Sequence, residues 1–105
     1  MKEITINRAT FYGVLKCTGE LFEYNGIQFC LTNPDGDYYA IEVLSGMGAY
    51  HIEYSHLYTE LGNKRKLRKW IRENIHLFTP ELIERIKKDF KRQGMKYPLN
   101  KKIIE

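Results

Sequence analysis

Cysteine and proline are scarce in this chain of 105 residues, with two of the first and three of the second. Cys17 and Cys30 stand thirteen positions apart, unlike the close pairs of zinc ribbons and redox motifs. Both lie in apolar, strand-like contexts, so they are expected to be buried free thiols. No window approaches the ~20 apolar residues of a membrane span, and the opening "MKEITINRATFYG" has no apolar core of signal-peptide length. A cytoplasmic protein without membrane contact is therefore expected. The metalloprotease pattern HExxH, a nucleophile elbow and a phosphate-cradling glycine loop are all missing. "GMG", within "LSGMGAY", is too short for such a loop and suits a turn. No catalytic residue, metal ligand set or cofactor is predicted, and the protein is expected not to be an enzyme. Internal repeats and low-complexity segments are also lacking.

What is present describes a folded domain. Apolar residues make up 43% and charged residues 29%, ordinary values for a globular chain. The length fits one core, so residues 1–105 are expected to form a single domain. The net charge of +4 conceals two unlike halves. Residues 1–60 carry three Lys/Arg against eight Asp/Glu, whereas residues 61–105 carry fourteen against five. A basic end raises local encounter with polyanions even when overall charge is small.

The first half, residues 1–54, is β-rich and acidic. In "LFEYNGIQFCLT", Asn25-Gly26 suits the two positive-φ positions of a type I′ turn, which predicts that Leu21–Tyr24 pairs with Ile27–Thr32. "NPDGD" then turns the chain into a strand at "YYAIEVL", and "SGMG" into another at "AYHIEY". Ser55 is read as the cap of a short helical turn that Gly62-Asn63 ends, with a loop as the alternative.

From residue 63 to 94 the period changes from strand to helix. Leu67, Trp70, Ile71 and Ile75 recur at helical spacing, with Arg65, Arg68, Lys69 and Arg72 at i, i+3, i+4 and i+7 on the other side. "FTPELIERIKKDFKRQG" carries Thr79 as N-cap, Pro80 at the first helical position, Glu81 in the first turn and Gly94 after a basic last turn. Leu82, Ile83, Ile86 and Phe90 form its apolar side, and Arg85, Lys88 and Arg92 its basic side. The expected fold is α+β: an N-terminal antiparallel β-meander of four to five strands, then two antiparallel helices packed on one face. The tail, residues 95–105, offers Leu99, Ile103 and Ile104 either for packing or for a partner.

"FEYNGIQFCLTNPDGDYYAIEVLSGMGA", Phe22 to Ala49, resembles the short hairpin-rich proteins of bacteriophages and other mobile elements, in which an F-x-Y-N-G-x-x-F hairpin leads to a strand and a Ser/Thr-Gly turn. The resemblance implies a small accessory protein of a mobile element, a class that includes DNA-handling factors and inhibitors of host defence. It carries no functional residue with it.

Three constellations bear on function. Arg65, Arg68, Lys69 and Arg72, with Arg85, Lys88 and Arg92, would form a phosphate-binding strip if both helices present their basic sides on one surface; such contacts bind without sequence preference. The competing explanation is a solvated helix face. Trp70 suits a core anchor better than a base-stacking platform, given its apolar neighbours in the helical pattern. His51, Glu53 and His56 are the nearest approach to a proton-transfer or metal cluster, without diagnostic spacing. Finally, Glu20, Glu23, Asp35, Asp37, Glu42 and Glu53 would occupy a basic groove on another protein if they crowd one sheet face. The function expected is a non-enzymatic module binding DNA, RNA or a nucleoprotein complex through its basic helices, the alternative being a protein–protein module or inhibitor of a host protein.

Overall fold

The computed structural model describes residues 2–53 and 59–104. Five strands, β1 (Glu3–Thr10), β2 (Gly13–Tyr24), β3 (Ile27–Thr32), β4 (Tyr38–Glu42) and β5 (Gly48–Ile52), precede helices α1 (Glu60–Asn74) and α2 (Pro80–Arg92), which a 3-10 turn at Ile75–Leu77 connects. Each strand pairs antiparallel with the next, giving the sheet order β1-β2-β3-β4-β5. The fold is the expected α+β meander. Among the described residues no helix is long and apolar enough to cross a membrane.

Local chemistry sets the corners. Asn25 and Gly26 take φ of 50° and 77°, the left-handed pair that a type I′ hairpin turn requires. The longer hairpin, β1 with β2, turns on Phe11 and Tyr12, two residues without turn preference. Gly13 makes it possible by adopting φ 121°, while the Thr10 hydroxyl accepts from the Tyr12 amide and donates to the Gly13 carbonyl. Thr59 caps α1: its hydroxyl accepts from the Gly62 amide. Gly62 and Asn63 therefore lie in the first turn of the helix instead of ending one, because the Thr59 cap satisfies an orphan amide ahead of them. Ser55 lies outside the described residues. Thr79 caps α2 with Pro80 beside it, as the sequence indicates.

The sheet is apolar on both sides. Phe29, Leu31, Tyr38 and Ala40 face α1, whose Leu67 and Ile71 are fully buried against them. Ile4, Ile6, Cys17, Cys30, Ile41 and Val43 make a second cluster on the far face, as the alternation of each strand demands. Both cysteines are free and buried there.

The far face is closed by the C-terminal tail, using two side-chain amides in place of strand partners. Asn100 Oδ1 accepts from the Asn7 amide at 2.7 Å, and its Nδ2 donates to the carbonyls of Asn7 at 2.7 Å and Val43 at 2.8 Å. Gln28 Oε1 accepts from the Ile103 amide at 2.8 Å, and its Nε2 donates to the Ile103 carbonyl at 2.7 Å. Leu99 seats against Gly46, where a Cβ would come within 2.7 Å of the leucine methyl and 2.5 Å of the Asn7 carbonyl oxygen. Glycine is required there for close approach and for its φ of 68°. Ile103 packs on the far-face cluster, whereas Ile104 is exposed.

Because removing Asn100 strands part-buried backbone groups, Asn100→Ala is expected to lower stability by about 1–3 kcal/mol in urea unfolding. Ile104→Ser should stay within about 0.5 kcal/mol of the parent. Equal stabilities for the two variants would show that the tail clamp contributes nothing.

Candidate functional site

The seven basic residues singled out from sequence fall into three structural situations. Arg65, Lys69 and Arg72 are exposed along the outer side of α1. Arg72 holds its guanidinium 5.3 Å from the centre of the Phe22 ring, within reach of cation–π attraction. Arg68 is turned inward. Its Nη1 donates to Glu20 Oε2 at 2.8 Å, with side chains only 18% and 8% exposed. A long side chain at the flank of an apolar stripe can bend back over the sheet, and here it meets the one carboxylate that β2 buries.

On α2, Arg85, Lys88 and Arg92 are exposed and, with Lys91, surround one shallow depression of about 580 Å³. Asp89 shares that surface and pairs with Arg92. Elsewhere on the helices Lys64 pairs with Glu60 and Lys87 with Glu84. Arg65, Lys69, Arg72, Arg85, Lys88 and Lys91 have no carboxylate partner among the described residues.

The acidic residues do not crowd one face. Glu20 and Glu23 are three apart on β2 and point to opposite sides. Glu20 reaches α1 through Arg68, while Glu23 accepts from Gln28 Nε2 at 2.9 Å. Glu42 caps the loop after β4, accepting from the amides of Leu44 and Ser45 at 2.9 and 3.0 Å. Asp35 and Asp37 shape the turn before β4. These carboxylates are largely committed to internal bonds.

Of the histidine cluster, His56 lies outside the described residues, and His51 pairs with Asp37 rather than Glu53. Its Nε2 stands 2.9 Å from Asp37 Oδ2. The imidazole stacks on Tyr39 at 4.6 Å between centres, and the Arg8 guanidinium covers that ring at 4.2 Å. This three-layer stack ties β1, β4 and β5 together at the exposed end of the far face, and periodicity alone did not indicate it. Among the described residues no group of three or more His, Cys, Asp or Glu is placed to hold a metal ion.

Trp70 is half-buried and stacks on Tyr50 at 4.8 Å with planes 8° apart, as a core anchor should. The two thiols influence one another. Accepting a hydrogen bond from Cys30 lowers the Cys17 thiol from its ordinary range, against the upward effect of its burial. The same bond, with burial, pushes Cys30 up. Tyr97 is raised by burial, with the Glu42 charge adding to it.

Two further features escaped the sequence patterns. Phe11 and Tyr12, at the tip of the first hairpin, are 99% and 93% exposed, with Val14 and Leu15 beside them also exposed. A cleft of about 530 Å³ lies between α2 and the sheet. Compared with known proteins, no family model matches the chain, and no curated protein or solved structure is significantly similar to it.

The pairing of Arg68 separates structural from available cations. Arg68→Met leaves the Glu20 carboxylate buried without its cation and should destabilise the fold by about 3 kcal/mol or more in chemical denaturation. Arg65→Gln, on the exposed side of the same helix, should change stability by less than about 0.5 kcal/mol. An Arg68→Met protein as stable as the parent would contradict this division.

Proposed function

We propose that the protein is a non-enzymatic binding module that meets nucleic acid, or a nucleoprotein complex, through the basic outer surface of α1 and α2. The observation that carries this reading is the distribution of unpaired charge. Arg68 is spent on the fold, while Arg65, Lys69 and Arg72 on α1 and Arg85, Lys88 and Lys91 on α2 face solvent with no carboxylate partner among the described residues. Exposed cations at helical spacing suit the repeated phosphates of a polyanion, where each contact releases condensed counterions. Arg92, exposed and paired with Asp89, is available to exchange that partner for a phosphate. An accessory role in a bacteriophage or other mobile element belongs to the same proposal and rests on the Phe22–Ala49 resemblance, and a cytoplasmic place of action is proposed with it.

The alternative, a protein–protein module or inhibitor of a host protein, draws on a different surface. Phe11 and Tyr12 project from a two-residue turn with almost their whole area in solvent. Contiguous apolar exposure of this kind marks interaction sites.

Anisotropy titrations with short single- and double-stranded DNA and RNA over a range of salt concentrations separate the two. Arg65→Gln/Lys69→Gln/Arg72→Gln is expected to weaken binding and to reduce the slope of log affinity against log salt by roughly 2 to 3, for three lost phosphate contacts. Phe11→Ser/Tyr12→Ser should leave both quantities unchanged. Loss of binding in the hairpin variant alone, or an unchanged slope in the helix variant, would overturn the helical interface.

A further inference from the structure

α2 is suspended over the sheet rather than pressed onto it. Phe78, just before the helix, meets Phe29 edge to face at 5.4 Å, and Phe90, in its last turn, meets Tyr97 in the same way at 5.5 Å. Between these fixed ends, Leu82, Ile83 and Ile86 are only half-buried, and Phe90 alone in the helix is buried. An amphipathic helix of this kind ordinarily buries its whole stripe. Here the stripe forms the roof of the 530 Å³ cleft, with Ile27 and Ala49 of the sheet and Trp70 of α1 also lining it. Met47 and Leu77 line it too, each about half exposed.

The polar groups of the lining divide by availability. Glu42 is held by the amides of Leu44 and Ser45, Asp89 is paired with Arg92, and the Gln28 amide is fixed by Glu23 and Ile103. Arg85 and Lys102 line the same cleft, are exposed, and have no ion-pair partner among the described residues. The volume falls within the range of small-ligand pockets, ~300–1,000 Å³, which combine apolar walls with few polar groups that fix orientation.

We propose that this cleft is a binding site for an amphipathic organic anion: an apolar chain or flat ring system lying beneath Leu82, Ile83 and Ile86, with a single carboxylate or sulfonate at Arg85 and Lys102. The charge arrangement selects the anion. A cation of the same shape meets Arg85 and Lys102, which have no ion-pair partner among the described residues, whereas Asp89 is paired with Arg92 and Glu42 is held by two backbone amides. The site shares Arg85 with the proposed basic surface of α2 and lies apart from the exposed cations of α1, and its occupancy is followed without nucleic acid present.

Trp70 is the only tryptophan in the chain and lines the cleft, so its emission reports occupancy directly. The full chain is titrated with decanoate, decanol and decyltrimethylammonium, and with anilinonaphthalene sulfonate as an independent probe that decanoate should displace. Decanoate is expected to shift the Trp70 emission saturably with one site per chain, and decyltrimethylammonium should produce no saturable shift. Arg85→Glu/Lys102→Glu, changes confined to exposed side chains, should weaken decanoate at least about fivefold, the scale of two partly exposed ion pairs, and leave decanol unaffected. Ile83→Phe should weaken decanoate and decanol together by narrowing the apolar roof. Absence of a saturable response to decanoate, equal binding of anion and cation, or an unchanged affinity in the charge-reversal variant would overturn the proposal. So would a Trp70 emission that depends on protein concentration without ligand, since a second copy would then occupy the cleft.

Discussion

A sheet whose central strands are apolar on both sides needs two covers, and most of the structure follows from that requirement. All but one residue of β3 is buried, and β4 buries Tyr38, Ala40 and Ile41. Burying such side chains is worth roughly 25 cal/mol for each Å² removed from water, so neither face can be left wet. Leu67 and Ile71 bring α1 onto one face, and the tail closes the other with Leu99 and Ile103. A tail carrying no strand of its own supplies hydrogen bonds by another route. The amides of Asn100 and Gln28 each present a donor and an acceptor, matching an amide and a carbonyl of the backbone as a neighbouring strand would.

Charge is sorted by the same architecture. Most carboxylates of the β half are engaged within the fold, Glu20 with Arg68, Glu42 with the amides of its turn and Asp37 with His51, while Glu3 and Glu53 stay exposed. Most cations of the helical half, Arg68 excepted, remain outside because α1 spends its inner side on Leu67 and Ile71. The polarisation visible in composition thus becomes a polarisation of availability, with internal bonds using most of the acids and solvent receiving most of the bases. That is why net charge, at +4, understates what an approaching polyanion meets. The proposed interface depends on this sorting rather than on any single arginine.

Much of the fold was legible because its signals are local. Asn25-Gly26 names its turn through the φ values it tolerates, and Thr79-Pro80-Glu81 names a helix start through the groups it caps. What escaped is tertiary. The Phe11-Tyr12 turn lacks turn residues, and its only signal, Gly13, acts one position later through a positive φ. Helical spacing places Arg68 between Arg65 and Arg72, yet its flexible stem lets the head fold back to a carboxylate forty-eight positions earlier. Likewise, the stripe of Leu82, Ile83, Ile86 and Phe90 is plain in sequence. That three of its four members face a cleft depends on where Phe78 and Tyr97 hold the ends of α2, and spacing along one helix does not contain that information.

Three surfaces consequently compete for the role of main interface: the outer sides of the helices, the cleft beneath α2 and the aromatic tip of the first hairpin. Amide chemical-shift mapping of the labelled protein with a short oligonucleotide at low salt tests the choice most directly. The account predicts perturbations concentrated on the exposed positions of residues 64–92, with Arg65, Lys69, Arg72 and Lys88 among them, reversing as salt is added. Perturbations confined to Phe11, Tyr12 and their neighbours, or a spectrum unchanged by the oligonucleotide, would contradict it.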